Sequence, residues 1–216
     1  MSIALSLGNN LTTNGIFKPT AVNNTSVTNV TDFASAAGGG AITLLSTQTA
    51  SGSATLDFTS SIDSTYDSYF FKFINIHPAT NDVTLQVNFS TDGGSSYNVT
   101  KTTEFAAARH TEGGSSNLGY VTNRDLAQET GNQVLNYDVG NLSDEDVCGT
   151  LQLFDPSSTT FLKHFISRAV GNGQAEEAQD SFMAGYANTT SAINAVRFVM
   201  SSGNIDEGVI KMYGVT

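Results

Sequence analysis

The sequence predicts an all-β fold, an antiparallel β-sandwich or jelly roll with an extended N-terminal arm, and three observations lead to it. Runs rich in β-branched and aromatic residues recur about every 8 to 15 residues, with Gly, Asn, Asp and Ser between them, the pattern of a sandwich. Charged residues make up only 13% of the 216-residue chain, about half the usual ~25%. Ser, Thr, Asn and 20 glycines supply the polarity instead, a composition that suits strands and turns and suits long helices poorly. One domain is expected at this length, large enough to bury roughly 70% of its unfolded surface.

Residues 1–40 come first. They are polar and turn-rich and end in Ala34-Ser-Ala-Ala-Gly-Gly-Gly40, a flexible linker composition. Within them Ile3, Leu5 and Leu7 alternate with Ser2, Ala4 and Ser6, a period-2 pattern that suits a strand. Ile16 and Phe17 add further apolar anchors. This segment is read as an arm that orders on a partner through Ile3, Leu5, Leu7, Ile16 and Phe17. Fully extended, it reaches on the order of 130 Å.

The sandwich is expected over residues 41–216. Residues 42–48 form its first strand, and Ala54, Leu56 and Phe58 share one face of the next. Residues 69–76 are apolar on both faces, as in a central strand covered on both sides. Val83, Leu85, Val87 and Phe89 alternate strictly and mark one buried face. Asp92-Gly-Gly-Ser-Ser96 then turns the chain into a strand over 97–102. Weaker strands are expected at 117–122 and 134–139, and short helical pieces near 106–109 and 174–179. Residues 148–154, stopped by Asp155-Pro156, and 160–166 are strong strand candidates, and 182–187 leads into a closing pair at 193–200 and 209–213. Gly203, Asn204 and Gly208 between that pair suit a hairpin reversal. Such a hairpin locks the C-terminus into a sheet and leaves attachment to the N-terminal arm.

The formal net charge of −11, with nine scattered basic residues, argues against nucleic acid, which needs clustered Lys and Arg for its phosphates. Cys148 is the single cysteine, so no internal disulfide is possible, and its apolar neighbours Val147 and Leu151 predict a buried thiol. Residues 1–7 lack the basic start of a secretory signal, and no run approaches the ~18 apolar residues of a membrane span. His77, His110 and His164 have no metal-ligand spacing, and no nucleophile elbow, zinc-protease helix or phosphate loop occurs. Three acidic clusters, Asp144-Glu145-Asp146, Glu176-Glu177 with Asp180, and Asp206-Glu207, offer oxygens of the kind calcium takes, but none matches an EF-hand loop. Paired carboxylates for glycoside hydrolysis need a sugar cleft, and the absence of Trp weakens glycosidase and lectin readings alike. The chain is therefore read as no enzyme, with no catalytic residue, cofactor or metal.

Several segments carry a resemblance. Ile62-Asp-Ser-Thr-Tyr-Asp-Ser-Tyr69 leads through an aromatic strand to Asn75-Ile-His-Pro-Ala79, and Asn88-Phe-Ser-Thr-Asp-Gly-Gly-Ser-Ser-Tyr97 follows. Gly149-Thr-Leu-Gln-Leu-Phe-Asp-Pro156, Phe198-Val-Met-Ser-Ser-Gly-Asn-Ile205 and Ile210-Lys-Met-Tyr-Gly214 complete the set. Over 42–216 the chain resembles a widespread family of tailed-bacteriophage virion proteins, surface structural or tail-fibre-type modules. Its motifs are turns and core strands. The resemblance implies a jelly-roll-like sandwich on the virion surface, assembled in the bacterial cytoplasm as a homotrimer. It also implies a capsid decoration or cement protein held to the major capsid or other virion proteins. The alternative is a tail-fibre or receptor-binding module whose loops meet host surface polysaccharide. Its candidate contacts are Asp92, Ser95 and Ser96 in one loop, Glu112 and Asn117 in a second, and Asn172 and Glu176 in a third.

Overall fold

The computed structural model describes residues 42–173 and 175–216. The proposed arm contacts Ile3, Leu5, Leu7, Ile16 and Phe17 lie outside them. Apolar alternation from Ile42 onward becomes strands β1 (Ile42–Thr49), β2 (Leu56–Phe58), β3 (Ser68–Pro78), β4 (Leu85–Ser90), β5 (Lys101–Thr111), β6 (Ser116–Tyr120) and β7 (Ala127–Glu129). They are followed by β8 (Gln133–Val134), β9 (Val147–Phe154), β10 (Lys163–Gly173), β11 (Glu177–Ala187), β12 (Ala195–Met200) and β13 (Ile205–Val215). The fold is all-β, with antiparallel pairing throughout the two sheets.

The larger, nine-stranded sheet runs β1-β13-β3-β9-β10-β11-β5-β6, with β7 also on β5, and the four-stranded sheet runs β2-β12-β4-β8. The order is nested: β1 pairs with β13 and β2 with β12, so the two ends of the sandwich fold back on each other in the jelly-roll manner. Only β9-β10-β11 is a simple meander.

The core lies between the sheets. Phe71, Phe73, Leu151, Phe165, Phe105 and Met212 of the large sheet face Leu56, Phe58, Val87, Phe89, Phe198 and Met200 of the small one, all at most 3% exposed. Phe198 packs its ring 5.5 Å from Phe71 and 6.1 Å from Phe58, the tilted and edge-on geometry that aromatic quadrupoles favour. Tyr69, also fully buried, accepts the Asp63 N–H through its hydroxyl at 2.8 Å and donates to the Asp63 carbonyl at 3.0 Å, which ties the preceding loop to β3.

Four expectations are corrected. The closing pair is not a hairpin: β12 belongs to the small sheet and β13 to the large one, so Ser201–Asn204 crosses the sandwich. Two apolar runs around a tight turn look alike in sequence whether they pair with each other or with other strands. Here β12 joins β2 and β4, while β13 joins β1 and β3. Gly203, at φ +70°, makes the corner where a Cβ would strike Thr80. Among the described residues the short helices expected near 106–109 and 174–179 do not form. The first lies inside β5, and in the second β11 begins at Glu177, because each backbone finds a cross-strand partner. Residues 69–76 are buried on one face only; Phe70 and Ile74 on the other are half-exposed and Lys72 is exposed. Cys148, expected to be buried, is half-buried on that same side, its Sγ accepting the Asn75 N–H at 3.2 Å.

Candidate functional site

The three loops proposed from sequence do not form one surface. Asp92, Ser95 and Ser96 close a turn on themselves. The Asp92 carboxylate accepts the Ser90 hydroxyl at 2.6 Å and the Ser96 N–H at 2.9 Å, and the Ser96 hydroxyl also donates to it. The Ser95 hydroxyl donates to the Asp92 carbonyl at 3.1 Å. These bonds, the Ser90 and Ser96 hydroxyls first, hold the Asp92 carboxyl down at about 2. Ser96→Ala is therefore expected to raise the Asp92 pKa toward the ordinary carboxylate range, read by carboxyl-carbon NMR titration. A titration unmoved by that change would mean the turn does not depend on the serine.

The other two loops meet. The β5–β6 turn and the β10–β11 turn lie side by side because β11 pairs with both β5 and β10, and the Glu112 N–H donates to the Glu176 carbonyl at 3.1 Å. Together with residues 142–146 they wall an open cleft of about 1030 Å³ that takes in Glu112, Asn172 and Glu176. Asn117 does not line it; it sits on β6 opposite Arg109.

Two of the acidic clusters converge on this cleft, Asp144-Glu145-Asp146 and Glu176-Glu177 with Asp180. Three of their six carboxylates are engaged by protein groups. Glu145, 4% exposed, accepts the Leu142 N–H at 2.7 Å. Glu177, equally buried, takes the Arg109 guanidinium at 3.2 Å. Asp180 takes Arg168 through two bonds of 2.9 and 2.6 Å. Asn172 anchors the 142–146 segment, receiving the Asp146 N–H at 2.9 Å and donating to the Asp144 carbonyl at 2.9 Å. No group of three or more His, Cys, Asp or Glu among the described residues is arranged to hold a metal ion. Burial pushes the Asp146 carboxyl up, against the opposing pull of His77.

A second feature was not anticipated. The outward face of the large sheet is rich in apolar side chains that stay in solvent: Leu44 is 52% exposed, Ile166 48%, Val170 47% and Phe182 38%. A shallow hollow of about 310 Å³ opens in it over Ala184, between Phe70, Ile166 and Phe182. Beside it Lys211 stands directly opposite Lys72 across β13 and β3, a like-charge pairing that disfavours the isolated sheet. The alternation within β10, Phe165 and Ala169 inward against Ile166 and Val170 outward, puts apolar residues on both faces and was the available signal.

No protein-family model, curated protein or solved structure matches this chain.

Proposed function

We propose that this chain is a bacteriophage virion structural protein, a capsid decoration or cement subunit whose sandwich lies on the particle surface and whose N-terminal arm anchors it. The observation that carries the reading is the apolar outward face of the large sheet. Exposed apolar side chains set among polar ones on one sheet face suit contact with other protein subunits, and the resemblance over 42–216 supports a virion setting. Anchoring works by burial. Ile3, Leu5, Leu7, Ile16 and Phe17 would each contribute about 1.5–3 kcal/mol when fully buried on a capsid partner, and linked copies add avidity. Deleting residues 1–40 is expected to abolish decoration while the sandwich still folds, read by imaging labelled particles and by circular dichroism. Normal decoration by the truncated chain would sink the arm.

The receptor-binding reading has one observation of its own. The cleft gathers Glu112, Asn172 and Glu176 in a concavity with room for an oligosaccharide, and carboxylate and amide groups suit sugar hydroxyls. Copy number separates the two: capsid decoration needs on the order of hundreds per virion, a tail module far fewer. A glycan-array signal lost on changing Glu112 and Asn172 would favour the second.

A further inference from the structure

We propose that the end of the sandwich where the chain enters β1 is its seat on the particle, with Phe161 and Leu162 of the β9–β10 loop filling an apolar pocket on the protein that the arm holds. The inference rests on the virion reading and names the part of the sandwich that meets the particle. Register fixes which end this is. Ile42 opens β1 opposite Val215, Val215 lies opposite Ser68, and Ser68 lies opposite Phe154, the last residue of β9. The chain therefore enters the sandwich three strand spacings, about 14 Å, from the start of the β9–β10 loop.

That loop, residues 155–162, holds apolar side chains in solvent. Phe161 is 70% exposed and Leu162 36%, with Phe154 just before the loop at 36% and Ile42 in the same row at 59%. Single exposed apolar residues are ordinary, but four at the end where a tether joins call for a partner. The loop is not free to tuck them in. Pro156 is buried near its start, and Lys163, 0% exposed, follows its end with Nζ donating to the Thr189 carbonyl at 3.1 Å. Between these anchors the Asp155 N–H donates to the Asp67 carbonyl at 2.7 Å, and the Ile193 N–H to the Pro156 carbonyl at 2.9 Å. The Phe161 N–H donates to the Ser158 hydroxyl at 3.0 Å. Asp155 sits at φ +40°, a left-handed conformation that the surrounding bonds must hold in place. An aromatic side chain on a loop already tied down loses little ordering entropy on docking, which is what an interface anchor needs.

The tether selects the occupant. Once the arm grips one protein, a second contact with that protein is intramolecular, and it forms most readily at the end from which the arm departs. The opposite end is poorly suited: the exposed Glu112, Asp144 and Glu176 stand around the cleft there, and covering them with protein would strip carboxylates of water. Asp67 and Asp155, exposed at the start of the loop, set the rest of the pocket's chemistry: an apolar floor with a polar or basic rim. Seated this way, the cleft faces away from the particle, at the far end of β10 and roughly 30 Å from the loop.

Particles from a phage lacking this chain, titrated with the purified full chain and pelleted, test the seat. Wild type is expected to saturate them. The double variant Phe161→Asp, Leu162→Asp, folded by circular dichroism and with its arm intact, is expected to need at least about 100-fold more protein for half-saturation. Phe161→Leu, which keeps an apolar plug, should recover most of that loss. Hydrogen exchange on the decorated particle should slow at residues 157–162 and stay unchanged at 142–146. Equal binding by the double variant, or protection at 142–146 in place of the loop, would overturn the inference and leave the virion reading standing. A free chain that self-associates, and that Phe161→Asp returns to single chains in sedimentation equilibrium, would make the loop a contact between copies and overturn it as well. Particles that take up no wild-type chain would sink the virion reading, and the seat with it.

Discussion

Phe198→Ala is expected to destabilise the sandwich by about 3–5 kcal/mol, the range for removing a fully buried aromatic ring. Phe198 sits at 0% exposure on β12, the strand that holds β2 and β4 in the small sheet. Its ring centroid lies 5.5 Å from Phe71 and 6.4 Å from Phe73 on the large sheet, and 6.1 Å from Phe58 on its own. Three rigid rings around one side chain cannot collapse into the space it leaves, so the cavity cost adds to the lost transfer energy. With about 2–4 °C per kcal/mol for a domain of this size, Tm should fall by roughly 10 °C. Urea titration and a thermal melt measure both. Phe161, 70% exposed, is the control, and Phe161→Ala should stay within about 0.5 kcal/mol of wild type. A Phe198→Ala loss below 1.5 kcal/mol would show that the core between the sheets repacks far more freely than three flanking rings allow.

Local pattern foretold strands better than it foretold their neighbours. Val83, Leu85, Val87 and Phe89 are all buried, but the single buried face expected there is corrected, because Thr84, Asn88 and Ser90 on the other face are buried as well, Asn88 accepting the Lys101 ammonium. Strand β9 begins one residue before its expected start. Alternation reports the face a residue takes; it is silent on which strand lies alongside. That is why the β12–β13 corner reads as a hairpin, and why three loops that look equivalent divide in space. Glu112, Asn172 and Glu176 share a cleft through the order β10-β11-β5, which local pattern does not encode, while Asp92, Ser95 and Ser96 spend their polar groups on their own turn. The buried lysines were legible in a stricter way. Counting back by twos from Phe105 through Thr103 reaches Lys101, and from Phe165 reaches Lys163, so the phase of each strand points both inward. Lysine's usual place at the surface conceals that phase.

Lys101 supplies the second large effect, a stability that rises with pH. Its side chain is 0% exposed, and Nζ donates to Asn88 Oδ1 at 2.6 Å and to the Val99 carbonyl at 2.7 Å, with no carboxylate partner. Burial pulls its pKa down to about 8, against roughly 10.4 in an unfolded chain. Between those values the unfolded state binds the extra proton, so unfolding becomes harder as pH increases. The full gain is about 3 kcal/mol, of which about 2 kcal/mol falls between pH 7.5 and 9.5. Lys163, shifted downward by burial as well, adds to the same slope. Tyr69, raised by burial, works against it from about pH 9, where its unfolded phenol begins to ionise. Urea midpoints at pH 7.5, 8.5 and 9.5 should therefore climb for the wild type. Lys101→Met, which has nothing to deprotonate, should flatten most of that climb and leave the remainder due to Lys163. Below pH 8 the folded wild type holds an ammonium ion in an apolar interior, a cost the methionine lacks, so the variant's relative stability should be greatest there. Parallel midpoint curves for the two proteins would mean that the Lys101 ammonium is solvated in the folded state.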